Sequence, residues 1–300
     1  MTEAVASREP SDARAWDADV HSKQPSVFRR LLRSRSAIIG MVIIFILLAV
    51  ALLANIIAPF DPIKQSFKIQ LQPPSLEHPL GTDEFGRDIL SRMIYGARWA
   101  LLAGILADSI ALVLGVTLGL VGGFYGRAVD AGIVWLTDVM LAFPYLLLAM
   151  IIVAIFGPGL INAMIAIGIV YVPQYARLVR GTVLSLKEKE FIEASRCLGV
   201  PVHRIIFRHV LPNSIAPIIV MATLAIGWAI VQTAGLSFLG LGAQPPTPEW
   251  GAMLAGGRNY MLSAWWIATF PGLAIVFTVI GFNLLGDGLR DTLDPYLRGR

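Results

Sequence analysis

A chain of 300 residues with 56% hydrophobic and only 15% charged side chains, at a mean hydropathy of +0.70, describes a membrane protein rather than two soluble domains. A formal charge of +4, from 24 basic against 20 acidic residues, makes a nucleic-acid binder with a concentrated basic face a poor fit. The single cysteine, Cys197, excludes an internal disulfide framework, and apolar runs far longer than the roughly 10 residues of a barrel strand leave helices as the spanning elements.

Residues 1–28 mix Pro10, Pro25 and charges of both signs without apolar periodicity, and read as a solvated tail. Glu3, Glu9, Asp12, Asp17 and Asp19 ahead of the first apolar run argue against a secretory signal. The basic stretch Phe28-Arg29-Arg30-Leu31-Leu32-Arg33 reads as a juxtamembrane anchor or a short interfacial helix. The first span is 37–58, long enough at about 1.5 Å per residue to cross a hydrocarbon core of about 30 Å. Five more follow at 99–121, 131–156, 160–176, 213–239 and 266–286. Phe156-Gly157-Pro158-Gly159 is a tight breaker that sets an antiparallel hairpin between the third and fourth spans.

The fold class expected is therefore all-α and integral to the membrane, with six transmembrane helices. Eighteen of the 24 lysines and arginines fall in segments on the N-terminal side of the membrane, which places both termini in the cytoplasm. The expected division is a tail and basic segment at 1–36, a first helix at 37–58, an external segment at 59–96, a core at 97–290 containing a cytoplasmic loop at 181–212, and a C-terminal tail at 291–300.

No extramembrane piece is large enough to be a nucleotide-binding domain, and no Gly-Lys pair occurs, so ATP, if it drives this chain, binds elsewhere. Motifs for a metalloprotease or a serine hydrolase are absent, and His21, His78, His203 and His209 are dispersed. The inside loop carries the strongest signal. Its residues 190–198 form a short helix stopped by Gly199 and Pro201, and Phe191, Ile192, Ala194, Ser195 and Leu198 give it an apolar, small-residue face too short to bury against its own chain. Such a face needs a partner. A second helical pattern at 202–210 leads to Leu211-Pro212 at the foot of the fifth span.

Glu193-Ala194-Ser195, Gly199 and Leu211-Pro212 resemble the EAA motif of ABC-importer permeases, with Ser195 replacing the second alanine by another small residue. His78-Pro79-Leu80-Gly81-Thr82-Asp83, Gly86-Arg87-Asp88, Ser91-Arg92 and Tyr95-Gly96-Ala97-Arg98 are similar to the external segment of C-type permeases in dipeptide and oligopeptide importers. So are Gly235-Leu236-Ser237-Phe238-Leu239-Gly240, the segment Gln244 to Gly251, Asn283-Leu284-Leu285-Gly286-Asp287, and Leu293-Asp294-Pro295. The resemblance covers about residues 26–300 and is less specific for cargo, because nickel, glutathione and opine importers share this permease type.

The resemblance implies a type I ABC importer permease fold in a bacterial inner membrane. It implies a homologous B-type permease, two cytoplasmic ATPases that hold ATP and Mg, an extracellular or periplasmic substrate-binding protein, contact with membrane lipid, no nucleic acid, and no cofactor or catalysis in this chain. Helices two to six would form the core and helix one would wrap it. Phe191, Glu193, Ala194, Ser195, Arg196, Gly199 and Pro212 would then be the ATPase-coupling residues. The proline-rich stretch with Gln244, Pro245, Pro246, Glu249 and Trp250 would be an external or re-entrant segment facing the binding protein, or else a rigid interhelical turn.

Polar residues within the spans are the candidate pore and gating groups. Asp108, near the middle of the second helix, costs about 2.5–3.5 kcal/mol if unpaired, so it is hydrated, protonated or held by a neighbouring helix. Asp138 lies in the third span, where Pro144 is expected to kink the helix. Gln232 and Asn283 are expected to hydrogen-bond between helices or to line the pore, and Trp265 and Trp266 to mark the outer interface. A self-sufficient ion-coupled transporter would use Asp108 and Asp138 as its relay, and an intramembrane enzyme finds no nucleophile and base pair.

Overall fold

The computed structural model describes residues 30–32 and 34–293. The expected tail at 1–28, Arg29 and Arg33 of the basic segment, and 294–300 of the C-terminal tail lie outside the described residues. Every regular element among those described is helical, and the one extended pairing is an isolated bridge between Thr82 and Asp88. The main helices are α1 (Arg35–Ile57), α2 (Ile89–Tyr125), α3 (Arg127–Ala142), α4 (Tyr145–Phe156), α5 (Leu160–Lys187), α6 (Glu190–Cys197), α7 (Val202–Phe238), α8 (Trp250–Gly257) and α9 (Trp266–Leu293).

Each apolar stretch is helical, but the helices run well past the apolar residues. α2 starts at Ile89 rather than at 99 because Asp88 caps it, its carboxylate accepting from the Ser91 N–H at 2.7 Å. Its 37 residues span about 55 Å at 1.5 Å per residue, more than a bilayer core requires. α5 continues to Lys187 and α9 to Leu293 for the same reason: hydropathy marks the buried part of a helix and not its polar ends. Four described helices are long and apolar enough to cross a membrane, and five when α3 and α4 are taken as one broken span. α5 is less apolar, carrying Asn162, Gln174 and Arg177 along its 28 residues.

The third span is broken rather than kinked. α3 and α4 meet at 96°. Phe143, preceding proline, is extended at ψ 140°, and Pro144 continues at ψ 125°, so two residues leave the helical region together. The helical stretch expected at 202–210 is present and runs on into the fifth span as the first part of α7. The junction is a π turn at Ile206–Val210, in which the Leu211 N–H reaches the Ile206 carbonyl. Pro212 has no N–H to offer its preceding turn and its ring crowds the carbonyl four residues back, and the wider turn accommodates both.

The most extensive contact in the fold is α2 against α5, and glycine makes it. A Cβ on Gly115 would collide with Tyr175 and the Val172 carbonyl, one on Gly119 would lie 2.7 Å from the Ala176 carbonyl and from Val179 Cβ, and one on Gly123 would lie 2.8 Å from Val183 Cβ. The four-residue spacing puts the three on one face, so the two backbones touch along about two turns. α5 answers with Gly168, where a Cβ would meet the Ala107 carbonyl at 2.8 Å. α9 packs between α1 and α7, and Gly40 of α1 lies against the backbone of Gly281 and Leu285.

Gly119→Val is expected to lower stability by about 1–3 kcal/mol, read as a lower Tm of the detergent-purified protein. Gly181→Ala, which meets nothing within 4 Å, is expected to leave Tm unchanged or raise it.

Candidate functional site

At one end of the bundle lies α6. Glu190 and Glu193 fall in its first turn and Arg196 in its last, the arrangement that suits the helix dipole. Its C-terminus closes with Leu198 N–H to Ala194 O at 3.0 Å, Gly199 N–H to Arg196 O at 2.9 Å and Val200 N–H to Ser195 O at 3.1 Å. Gly199 sits at φ +72° with open space around it, so glycine is required by backbone conformation and not by crowding. The Ser195 hydroxyl bonds inward to the Phe191 carbonyl at 2.8 Å.

The apolar face of α6 is not wholly free. Ile192 is fully buried in a cluster with Phe124, Val183, Ile205, Ile206 and Val210, and so anchors the helix to its own chain. Phe191, Glu193, Ala194, Arg196 and Cys197 are exposed, and Leu198 is 82% exposed. Phe207, on the π turn, is 67% exposed. The Phe191 ring lies 6.4 Å from that of His209. Exposed Phe207 went unnoticed in the sequence, where the signal was a lone aromatic four residues before Leu211-Pro212. Pro212 acts through the shape of the π turn.

Four polar groups proposed for the pore fall in different places. Asp108 is buried, and the Tyr175 hydroxyl donates to its Oδ1 at 2.6 Å across the α2–α5 contact. Of the alternatives open in the sequence, a contact with a neighbouring helix is the one observed. Tyr175 was not anticipated. Asp138 is half exposed and pairs with Arg177 at 3.0 Å. The side chains of Gln232 and Asn283 make no hydrogen bond among the described residues, so the expected interhelical bonds within this chain are absent; Gln232 is half-buried and Asn283 exposed. Tyr145 beside the Pro144 break, Tyr171 of α5 and Trp228 of α7 form an aromatic stack, with Tyr171 and Trp228 ring centroids 4.4 Å apart.

At the other end, residues 58–88 fold into a polar cap. His78 is buried rather than solvated, its Nδ1 3.0 Å from Asp88 Oδ1. Asp83 accepts from the Phe85 and Arg87 N–H groups and from Arg87 Nε at 2.6 Å. Arg92 lies 3.6 Å from the same carboxylate and donates through Nη1 to the Pro62 carbonyl at 3.0 Å and the Pro246 carbonyl at 3.3 Å. This side chain therefore fastens the proline-rich loop to the cap. Trp266 is buried and donates to the Thr82 carbonyl, whereas Trp265 is exposed, so only Trp265 fits the expected interfacial marker.

Gln244, Pro245 and Pro246 are exposed at this end. Glu249 and Trp250 are not: they are 5% and 3% exposed and face the protein. Glu249 caps α8, a helix the sequence reading did not foresee, accepting from Gly251 N–H and Ala252 N–H at 2.9 and 2.8 Å. Burial pushes its carboxyl upward from the usual carboxylate range, against these hydrogen bonds and one from Ser237, which pull it down. Trp250 donates to the Met93 carbonyl at 3.1 Å and lies against Gly96. A cleft of about 240 Å³ opens between Glu84, Arg87, Gln244, Thr247 and Gly256. Among the described residues no group of three metal-ligating side chains occurs.

Residues 115–299 match the family described as binding-protein-dependent transport system inner membrane component, and residues 26–74 match the N-terminal transmembrane domain of oligopeptide transport permease C. The chain belongs to this family. A dipeptide transport system permease protein from Alkalihalophilus pseudofirmus is 51% identical over 271 residues, covering 90% of this chain and 89% of the relative. The corresponding Escherichia coli protein is 49% identical over 89% and 91%, and a glutathione transport system permease protein from Pectobacterium atrosepticum is 45% identical over 94% of both. Among solved structures, an inward-facing conformation of the MetNI methionine ABC transporter superposes with a TM-score of 0.57 at 17% identity, over 69% of this chain and 98% of that one. As a member of the family this permease is a multi-pass inner-membrane transport component, not an enzyme.

In this permease, Tyr175→Phe is expected to cost about 1–3 kcal/mol by leaving the buried Asp108 without its donor, and Asp108→Asn, which keeps an acceptor, to cost less. Tm measurements on the two purified variants check the order. In a Cys197→Ser background, Gln244→Cys is expected to react rapidly with a maleimide and Ala243→Cys, at a buried position, to be protected, as read by mass shift.

Proposed function

We propose that this chain is the C-type permease of an ATP-driven importer for dipeptides and short oligopeptides, working with a homologous B-type permease, two cytoplasmic ATPases and a substrate-binding protein. The observation that carries the reading is α6: a short helix held by one buried side chain, Ile192, with Phe191, Ala194 and Leu198 left uncovered, as is Phe207 on the π turn. An apolar crest of this kind on a polar end of a membrane protein suits a docking groove on another protein. ATP and Mg would reside on the partners. The names of the relatives favour peptides as cargo, and the glutathione permease at 45% identity supports a second cargo, itself a short peptide.

Six spans are proposed: α1, α2, the broken pair α3 and α4, α5, α7 and α9, with both termini cytoplasmic. The proposed division is 1–36, 37–58, 59–96, 97–290 and 291–300, with the core helices reaching back to Ile89 and on to Leu293. Phe191, Glu193, Ala194, Ser195, Arg196, Gly199 and Pro212 form or shape the ATPase-docking surface. Gln244, Pro245 and Pro246 offer the surface for the binding protein, with Glu249 and Trp250 holding it in place from beneath. Gln232 and Asn283, unengaged within the chain, are available to the pathway or to the second permease, and the Phe143–Pro144 break is the bending point for alternating access. The ion-coupled alternative has less support, because Asp108 is engaged by Tyr175 and Asp138 by Arg177.

Reconstitution with the B-type permease, ATPases and binding protein tests the reading, with uptake of dipeptide, glutathione and Ni²⁺ compared with and without ATP. Glu193→Lys and Gly199→Pro are expected to abolish ATP-dependent uptake while the chain remains in the membrane. Persistence of uptake in both overturns the docking role of α6. An impermeant maleimide added to intact cells is expected to label Gln244→Cys in the Cys197→Ser background, and to reach native Cys197 only after permeabilisation.

A further inference from the structure

At the α6 end of the bundle, charged side chains of α5 reach across to α3 and to the last turn of α2. α5 ends at Lys187 and α6 begins at Glu190, so only Glu188 and Lys189 separate them. Arg180 of α5 grips Asp130 of α3 with both prongs of its guanidinium, Nε to Oδ1 at 2.5 Å and Nη2 to Oδ2 at 2.7 Å. Lys187 donates through Nζ to the Gly123 and Phe124 carbonyls at 3.1 and 3.0 Å, the last turn of α2. A forked pair fixes direction as well as distance, and a lysine on terminal helix carbonyls satisfies groups that have no partner within their own helix. Arg180 and Asp130 are partly shielded at 32% and 18% exposure, whereas Arg177 and Asp138 are open at 65% and 56%, so the first pair holds the elements together and the second adds little.

The position of Asp130 gives this pair its consequence. α3 is separated from α2 by the turn at Gly126 and from α4 by the Phe143–Pro144 break, where helical hydrogen bonding lapses. Thr137 is the one buried side chain of α3, whose Asp130 and Ile133 otherwise lie against Gly122 of α2, so the Arg180–Asp130 pair is its most shielded polar link to α5. We propose that Arg180 is a positioning residue for coupling: through Asp130 it makes α3 move with α5 and the adjoining docking helix, while the glycine-lined contact and Lys187 keep α2 in the same body, so that bending falls on the Phe143–Pro144 break.

The proposal rests on the importer reading, and its test separates the two. The assembled complex, co-reconstituted in liposomes with its binding protein, is assayed for radiolabelled dialanine taken up and for ATP hydrolysed. Arg180→Glu is expected to leave stimulated hydrolysis within roughly twofold of wild type while uptake per ATP falls about tenfold, and Asp130→Arg combined with Arg180→Glu to restore most of that ratio. A ratio unchanged in Arg180→Glu, or one the charge-reversed pair fails to restore although the complex assembles, overturns the proposal. If Arg180→Glu does not assemble, Arg180→Gln is read in the same way. Wild-type uptake that needs no ATP overturns the importer reading and this proposal with it.

Discussion

The backbone contact of α2 with α5 organises everything else. With no side chain at Gly115, Gly119 and Gly123, the helices approach until van der Waals contact is made by main-chain atoms, which in a bilayer substitutes for the hydrophobic effect that drives helix association in water. Close approach also sets the reach of neighbouring groups. Tyr175 touches Asp108 because it packs directly over Gly115, and Lys187 reaches the end of α2 because Gly123 lets Val183 lie flat against it. One stripe of small residues thereby fixes both a buried polar contact in the middle of the pair and the anchor point of α6 at its end.

The two ends of the bundle treat charge in opposite ways. At the cap, His78, Asp83, Arg87, Asp88 and Arg92 are buried with their hydrogen-bonding capacity directed at each other and at loop carbonyls, which repays desolvation and makes a rigid platform beneath the exposed Gln244–Pro246 surface. At the α6 end Glu193 and Arg196 are exposed and, although Ile192 is buried, Phe191, Leu198 and Phe207 are left uncovered. The two ends therefore differ in rigidity and polarity, and the α3–α4 pair between them is interrupted at 96°.

The unfulfilled polar groups are informative in the same sense. Gln232 and Asn283 lie on helices that could have used them internally and do not. Gln174 Oε1 and Thr233 Oγ1 are buried without a partner among the described residues. Such groups are costly in isolation, and these two atoms lie inside the helix bundle, where their polarity is met by no described side chain.

Composition alone determined that this protein is helical and membrane-embedded, because 56% hydrophobic residues in runs of about 20 admit no other backbone solution. The short helix at 190–197 and its glycine stop were equally legible, since caps and turns are read from adjacent residues. Family motifs marked His78, Asp83, Arg87 and Arg92 without showing that they form one buried network, for their partners lie up to 154 residues away in sequence. The pattern Gly115, Gly119, Gly123 was present to be read, but which helix it would receive depended on the fold. The proline-rich stretch left open whether Glu249 and Trp250 face outward or belong to a rigid turn, and α8 directs both inward. The direction a side chain faces, and whether a proline kinks a helix or breaks it, are decided by packing between distant segments, and only the tertiary structure contains that information.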